Sequence, residues 1–392
     1  MRPIVTFSRH YRLADKIVDD LLQPLPEGFE GSVGLLSCAA DAPYREIVAK
    51  LADRAEFPVV GGTTLAMPFT PRDEDVSATL AVLPAGMRAS VAISDPLTPA
   101  EGQAQMRKLH EDCLAGLEGE AVLLLAFMPM LCSPEADSYL PELFRAAGET
   151  PVFGGIVSDY LDSDDAAVFA GGQCHRDRFA LVGLAGDFKP LFSAACELTV
   201  LSESKPVVTE ARGNIVQQVD NIDFGTYLRR VGIECGQGDL TFDWPISVLV
   251  EGRASEIDGV PEVRMLTGLT DGGQSGVFSN IIRPGARISM GMLNRSNILN
   301  SAQKCLDDIS AKIEEERAGG LDYSLLFSVI CVGRYFVTVG ADNEEGRIIS
   351  QKLPPGLKLF GFYGYNEIGP TLDREGKIFN RSHGESIIVC AI

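Results

Sequence analysis

Histidine is scarce in this chain, at 4 of 392 residues, and no Cys-x-x-Cys pair occurs among its 9 cysteines. Zinc sites draw Cys and His ligands from short spacings, so no metal site is expected. Adjacent Cys174-His175 does not supply one, because neighbouring side chains on a strand point to opposite faces. A glycine-rich phosphate loop ending in Lys-Ser/Thr is missing, as is the Gly-x-Ser-x-Gly turn of serine hydrolases. The glycines between Thr270 and Gly276 lack the strand-to-helix setting of a dinucleotide fingerprint. Basic residues are outnumbered: 34 Lys+Arg against 54 Asp+Glu give a formal charge of −20. That balance argues against sequence-independent nucleic-acid binding and against docking on an anionic membrane. Long apolar runs are absent too. The longest, Ala121 to Cys132, falls short of the roughly 20 residues a bilayer span needs. Arg2, Arg9 and Arg12 precede no apolar core, so no secretory signal is expected. The odd, scattered cysteines, several inside apolar strands (Cys38, Cys331, Cys390), fit reduced thiols without disulfides in a cytoplasmic protein.

A globular composition is present, with 45% hydrophobic and 22% charged residues. One phrase occurs three times: an apolar strand, a helix, then a short strand running into glycine. The first copy has Val33 to Cys38, a helix over Tyr44 to Glu56, and Phe57-Pro58-Val59-Val60-Gly61-Gly62. The second has Ala121 to Phe127, Tyr139 to Ala147, and Thr150-Pro151-Val152-Phe153-Gly154-Gly155. The third has Ser324 to Val332, Glu344 to Leu353, and Leu357-Lys358-Leu359-Phe360-Gly361. Glycine at a strand end permits close approach to the backbone, so three such ends facing one cleft predict a site built largely from main chain.

Flanking segments repeat as well. Hairpins are expected over Ser77 to Ser94 and Gly276 to Leu293, turning at Pro84 to Arg88 and Arg283 to Arg287. Helices follow, over Pro99 to Leu117 and Ser296 to Arg317. Order and turn chemistry point to internal duplication, against chance alternation of elements as the competing reading. The texture changes between Ser202 and Gly238, with a strand and turn around Gly213-Asn214 and a helix over Phe224 to Val231. Asp243-Trp244-Pro245-Ile246 then opens a second unit, with strands at Ile246 to Glu251 and Val263 to Gly268. The expected fold is α/β: two packed domains with mixed, largely antiparallel sheets covered by helices. The three apolar strands should be central and buried on both faces.

Candidate site residues gather near the C-terminus. Cys331 ends an apolar strand three residues before Arg334, which could lower its pKa; a small hydrophobe in the core is the plainer reading. Arg334, at a strand end, suits bidentate capture of a carboxylate. Glu367 follows Tyr363-Gly364-Tyr365-Asn366 in the third glycine segment, where it would hold a ligand ammonium group or else pair with Arg334. His383 is expected in a turn between the last two strands. The sharpest expectation puts Arg334 and Glu367 in one zwitterion-binding site walled by Cys331 and a loop at Gly361.

These segments resemble the FIST family, sensory domains of bacterial signalling proteins and of a eukaryotic F-box protein. Leu326 to Arg334 resembles the family's strand ending in Cys-x-Gly-Arg, and Gly361 to Pro370 its Gly-Phe-x-x-x-Gly-Glu-Ile-x-Pro box. Val59 to Thr64 and Val152 to Asp159 resemble its N-terminal half. Asn366 replaces the glycine that usually precedes the box glutamate, and Asn380-Arg381-Ser382-His383-Gly384 replaces a frequent Asn-His/Gln-Thr turn. The resemblance implies a FIST N-terminal domain over 1–222 and a FIST C-terminal domain over 223–392. It also implies a sensor of small molecules such as amino acids. The residues expected to bind the ligand are Cys331, Arg334, Gly361, Tyr363, Asn366, Glu367 and His383. No kinase, receptor or F-box segment is recognisable, so output is expected through a separate partner such as a histidine kinase or receptor. Some relatives bind haem and respond to nitric oxide, which makes a haem-based sensor the first alternative; an enzyme using Cys331 and a pure interaction module are the others.

Overall fold

A computed structural model describes residues 2–67, 76–98, 100–130, 136–159, 165–202, 204–233, 246–251, 261–338, 344–372 and 375–392. The first sheet has six strands, in the order Ile4–Ser8, Ala78–Pro84, Gly31–Ala39, Val59–Thr64, Val168–Ala170, Gln173–His175. A nine-stranded central sheet runs Leu191–Ala195, Ile387–Ala391, Leu325–Cys331, Lys358–Leu372, Val152–Val157, Leu123–Met128, Ala180–Ala185, Arg88–Ile93. Its ninth strand, Ile378–His383, pairs with Lys358–Leu372 off this path. The third sheet runs Thr199–Val200, Arg287–Met292, Ile246–Glu251, Glu262–Thr270, Ser275–Phe278, Ile215–Val219, Val208–Arg212, with Ile222–Asp223 beside Ile215–Val219. Pairing is mostly antiparallel, as expected for the fold class.

Each of the three repeated phrases forms a parallel pair. Gly31–Ala39 pairs with Val59–Thr64, Leu123–Met128 with Val152–Val157, and Leu325–Cys331 with Lys358–Leu372. All three leading strands are central, and their apolar residues are buried on both faces, as a continuous apolar run requires. The first two copies use glycine identically. Gly61 faces Leu36 and Gly154 faces Ala126, where a Cβ would stand 1.8 and 1.9 Å from the Leu36 and Ala126 carbonyl oxygens. These glycines admit a neighbouring strand rather than a ligand.

Neither predicted hairpin forms. Ala78–Pro84 lies in the first sheet between Ile4–Ser8 and Gly31–Ala39, while Arg88–Ile93 joins the central sheet. Ser275–Phe278 and Arg287–Met292 share the third sheet but are separated by Ile246–Glu251 and Glu262–Thr270. A strand has two hydrogen-bonding edges: those of Ala78–Pro84 are taken by Ile4–Ser8 and Gly31–Ala39, and those of Ser275–Phe278 by the preceding strand Glu262–Thr270 and by Ile215–Val219.

The first and central sheets face each other across a core that includes Leu35, Val60, Phe127, Phe153, Phe327, Phe360 and Phe362. Helices Ala14–Leu22 and Tyr44–Arg54 cover the first sheet through Ile17, Leu21, Ile47 and Leu51. Helices Gly102–Ala115 and Ala136–Ala147 cover the N-terminal strands of the central sheet, and Arg295–Ala318 with Glu344–Lys352 its C-terminal strands. The third sheet has a core of its own around Phe224, Val248 and Phe278. Val152–Val157 pairs with the long strand Lys358–Leu372, so the two halves of the chain share one sheet. The Asp243-Trp244-Pro245 opening of the second unit lies outside the described residues.

Candidate functional site

The three glycine-ended strands meet, though without leaving a cleft lined by free amides. Tyr363 N–H donates to Thr64 Oγ1 at 2.9 Å, Ser158 Oγ donates to the Tyr363 carbonyl, and Leu65 N–H donates to Ser158 Oγ at 3.0 Å. Tyr365 OH donates to Asp159 Oδ1 at 3.1 Å. Side-chain hydroxyls thus satisfy the Tyr363 and Leu65 main-chain groups where these strands meet. Nor is there a glycine loop: Gly361, Tyr363, Asn366 and Glu367 all lie within the continuous strand Lys358–Leu372, where Gly361 is buried opposite Ser328.

Arg334 falls in the first turn of the short helix Val332–Thr338, just past Cys331, and is fully buried. Its partner is Glu345, not Glu367. Nε donates to Glu345 Oε1 at 2.9 Å and Nη2 reaches the same oxygen. Nη1 donates to Ser301 Oγ at 3.0 Å and to the Glu385 carbonyl at 3.2 Å; Nη2 also donates to the Ile298 carbonyl at 2.9 Å. Every guanidinium donor is therefore committed inside the protein, which corrects the expectation that Arg334 presents a fork to a ligand carboxylate. Burial alone would lower the Arg334 pKa, and the charge and hydrogen bonds of Glu345 more than restore it.

Around this pair sit two further buried acids. Glu367 accepts Ser386 N–H at 3.1 Å through Oε2 and a hydrogen bond from the Cys331 thiol, while its Oε1 has no protein partner. Glu385, with a positive φ of 53°, accepts from Ser247 Oγ, and its Oε2 is unpartnered. Three carboxyls, Glu345, Glu367 and Glu385, thus share one guanidinium. Burial drives Glu367 well above the ordinary carboxylate value, against the Ser386 amide, Arg334 and Cys331. Burial also pushes Glu385 up to about 7, opposed by Ser247 and Arg334. The Cys331 thiol is raised by burial and then by the two acids, so Arg334 does not make it a thiolate.

His383 ends strand Ile378–His383 and is buried, contrary to the exposed turn expected of it, because this strand pairs back onto the long strand with His383 opposite Glu367. Its Nε2 lies 3.3 Å from the Gly369 carbonyl and Nδ1 has no protein partner. Burial, then the Arg381 and Arg264 charges, keeps the ring neutral. Two cavities, of about 790 and 660 Å³, are lined by neither histidine nor tyrosine. Asn366 donates through Nδ2 to Ser382 Oγ at 2.7 Å. Tyr363 packs edge-on to Tyr335 at 5.2 Å, and its hydroxyl pKa is raised by burial and by Glu345.

Of the predicted residues, the fold brings together Cys331, Arg334, Tyr363, Glu367 and His383, and leaves Gly361 in the ladder. Glu345, Glu385, Ser247 and Ser301 complete the cluster and were not anticipated. Acidic Glu385 beside the apolar run Ile387 to Ala391 is the one signal that marked any of them.

Residues 32–222 match the FIST N domain, and residues 226–370 match the FIST C domain. The chain belongs to the FIST family. FIST domains are sensory domains of signal transduction, and the Cys331 to Arg334 turn and the Glu367 strand lie inside the matched C domain. No curated protein matches the chain. Among solved structures it is similar to cyanuric acid hydrolase from A. caulinodans, at 10% identity and a TM-score of 0.29, over 99% of this chain and 98% of that one. A likeness at that level carries no inference about activity. Among the described residues of this FIST protein, no helix is long and apolar enough to cross a membrane.

Proposed function

We propose that this FIST protein is a cytoplasmic ligand-binding sensor that takes up a small amine-bearing, amino-acid-like molecule at Glu367 and Glu385. It would signal through a separate partner, such as a histidine kinase or receptor. One observation carries the reading: the buried carboxyls of Glu345, Glu367 and Glu385 each keep an unpartnered oxygen, and of the three only Glu345 is bonded to the neighbouring guanidinium. Unsatisfied buried acids are costly, and a ligand ammonium group would satisfy Glu367 and Glu385. The cluster thus recognises the cationic end of a ligand. Arg334 supports it by holding the Glu385 carbonyl in place.

The cluster is enclosed, so entry of a ligand must be coupled to opening of its surroundings. Such coupling is what a sensor requires, since only differential binding to two conformations shifts their populations. Calorimetric titration with a panel of amino acids and simple amines tests the reading. Binding should be lost in Glu367→Gln and Glu385→Gln, and a panel without any binder, or a binder indifferent to both changes, would remove it.

A further inference from the structure

Two neighbouring strands of the third sheet wall the acidic cluster on one side. Ser247 lies directly opposite Met265 in the antiparallel pair Ile246–Glu251 and Glu262–Thr270, so both side chains leave the same face. Ser247 Oγ donates to Glu385 Oε1. Met265 Sδ and Cys331 Sγ stand 3.6 and 3.7 Å from the point that a Cβ at Gly333 would occupy. At Gly384 a Cβ would fall 2.5 Å from the Val263 carbonyl oxygen, so glycine lets the chain pass close under this sheet just before Glu385. Met265 is half-buried whereas Ser247, Glu367 and Glu385 are buried, so the wall extends from the enclosed acids towards solvent.

Donors around the open oxygens, Glu367 Oε1 and Glu385 Oε2, are already used. Ser247 Oγ serves Glu385, the Cys331 thiol and Ser386 N–H serve Glu367, and Ser386 Oγ donates to the Gly384 carbonyl at 3.0 Å. The guanidinium hydrogens of Arg334 go to Glu345, Ser301, Ile298 and the Glu385 carbonyl. Met265 has no donor to offer. This set leaves only acceptor oxygen open. A ligand ammonium group fits such a set. A ligand carboxylate does not, because it brings one more acceptor and one more negative charge beside two acids. An acid that kept its proton would serve a carboxylate, but an arriving ammonium displaces that same proton.

Building on the amine reading of the Glu367 cluster and narrowing it, we propose that the ligand is a small primary amine without an α-carboxylate. Its ammonium group meets Glu367 Oε1 and Glu385 Oε2, and its hydrocarbon body lies against the Met265 thioether and Cys331. The amino acid itself is the disfavoured form, since its carboxylate finds no donor in this wall.

Calorimetric titration of the full chain tests this with matched probes: L-alanine, its methyl ester and ethylamine, then L-leucine, its methyl ester and isopentylamine. In each set the amine should bind about tenfold or more tightly than the amino acid, because burying a carboxylate without a donor is costly. The ester keeps the substituent but hides the charge, and should recover most of that loss. Met265→Ala widens the wall without adding a donor. It should improve isopentylamine relative to ethylamine and keep the preference for amines over amino acids; equal effects on the two amines would overturn the placement of the body. An amino acid that binds as tightly as its amine, with binding lost in Glu367→Gln and Glu385→Gln, would overturn the proposal and leave the amine reading standing. Absence of binding by every probe would remove both.

Discussion

Replacing Arg334 by alanine should destabilise the protein severely, whatever it does to ligand binding. The side chain makes five hydrogen bonds, to Glu345, Ser301, Ile298 and Glu385, at zero exposure. Its loss strands the Glu345 carboxylate and two main-chain carbonyls in the core. Breaking a buried ion pair from one side costs roughly 3–5 kcal/mol. For a chain of 392 residues unfolding as one unit, with about 2.1 cal/mol/K of entropy per residue, that is a melting drop of roughly 5 °C. Glu345→Gln should lower the melting temperature too, since it leaves the guanidinium without its countercharge. Arg334→Met combined with Glu345→Leu removes both charges and should melt above either single change. Scanning calorimetry of the four proteins decides. If both single variants melt within about 1 °C of the parent, as surface substitutions do, the ion-pair account is wrong.

Burial lifts Glu385 from 4.5 to about 7. A raised acid favours its protonated form in the native state, so that contribution is full below about pH 4.5 and is lost as pH rises through about 7, up to roughly 3 kcal/mol. Glu385→Gln should flatten this part of the stability profile, measured by denaturant melts between about pH 5 and pH 8. Cys331 is buried and held as a thiol, so iodoacetamide should label it only after unfolding; intact-mass readout of native labelling at this position would contradict its placement. Gly154→Ala would set a Cβ 1.9 Å from the Ala126 carbonyl and should cost at least about 1–3 kcal/mol, whereas Gly86→Ala meets nothing within 4 Å and should be near neutral in the same melts.

Local signals in the sequence carried much of the fold. The runs Val33 to Cys38, Ala121 to Phe127 and Ser324 to Cys331 read as doubly buried strands and are so, because apolar continuity depends on burial alone. The helices Tyr44–Arg54 and Arg295–Ala318 lie where they were expected, over Tyr44 to Glu56 and Ser296 to Arg317. Strand partners were not legible. A turn at Gly86 looks the same whether its strands pair or part, and the choice was made by Ile4–Ser8 and Gly31–Ala39, far away in the chain. In the site, proximity of Cys331, Arg334 and Glu367 followed from the parallel pair that carries them. Glu345 as the countercharge did not, because it comes from a separate helix whose acids look like an ordinary solvated first turn. His383 was misread for the same reason: a polar pentapeptide resembles a turn until its pairing with Glu367 is known.

Proton release on ligand binding tests the central claim most directly. Glu367 is held protonated in the ligand-free protein and Glu385 lies near its midpoint at about pH 7, so an ammonium group arriving between them must expel protons. Titration calorimetry of an amine-bearing ligand in two buffers of different ionisation enthalpy measures that number. The account predicts net release near neutral pH, affinity that rises with pH, and loss of the release in Glu385→Gln. Binding of an amino acid with no proton exchange, and with the same affinity in Glu367→Gln, would contradict it.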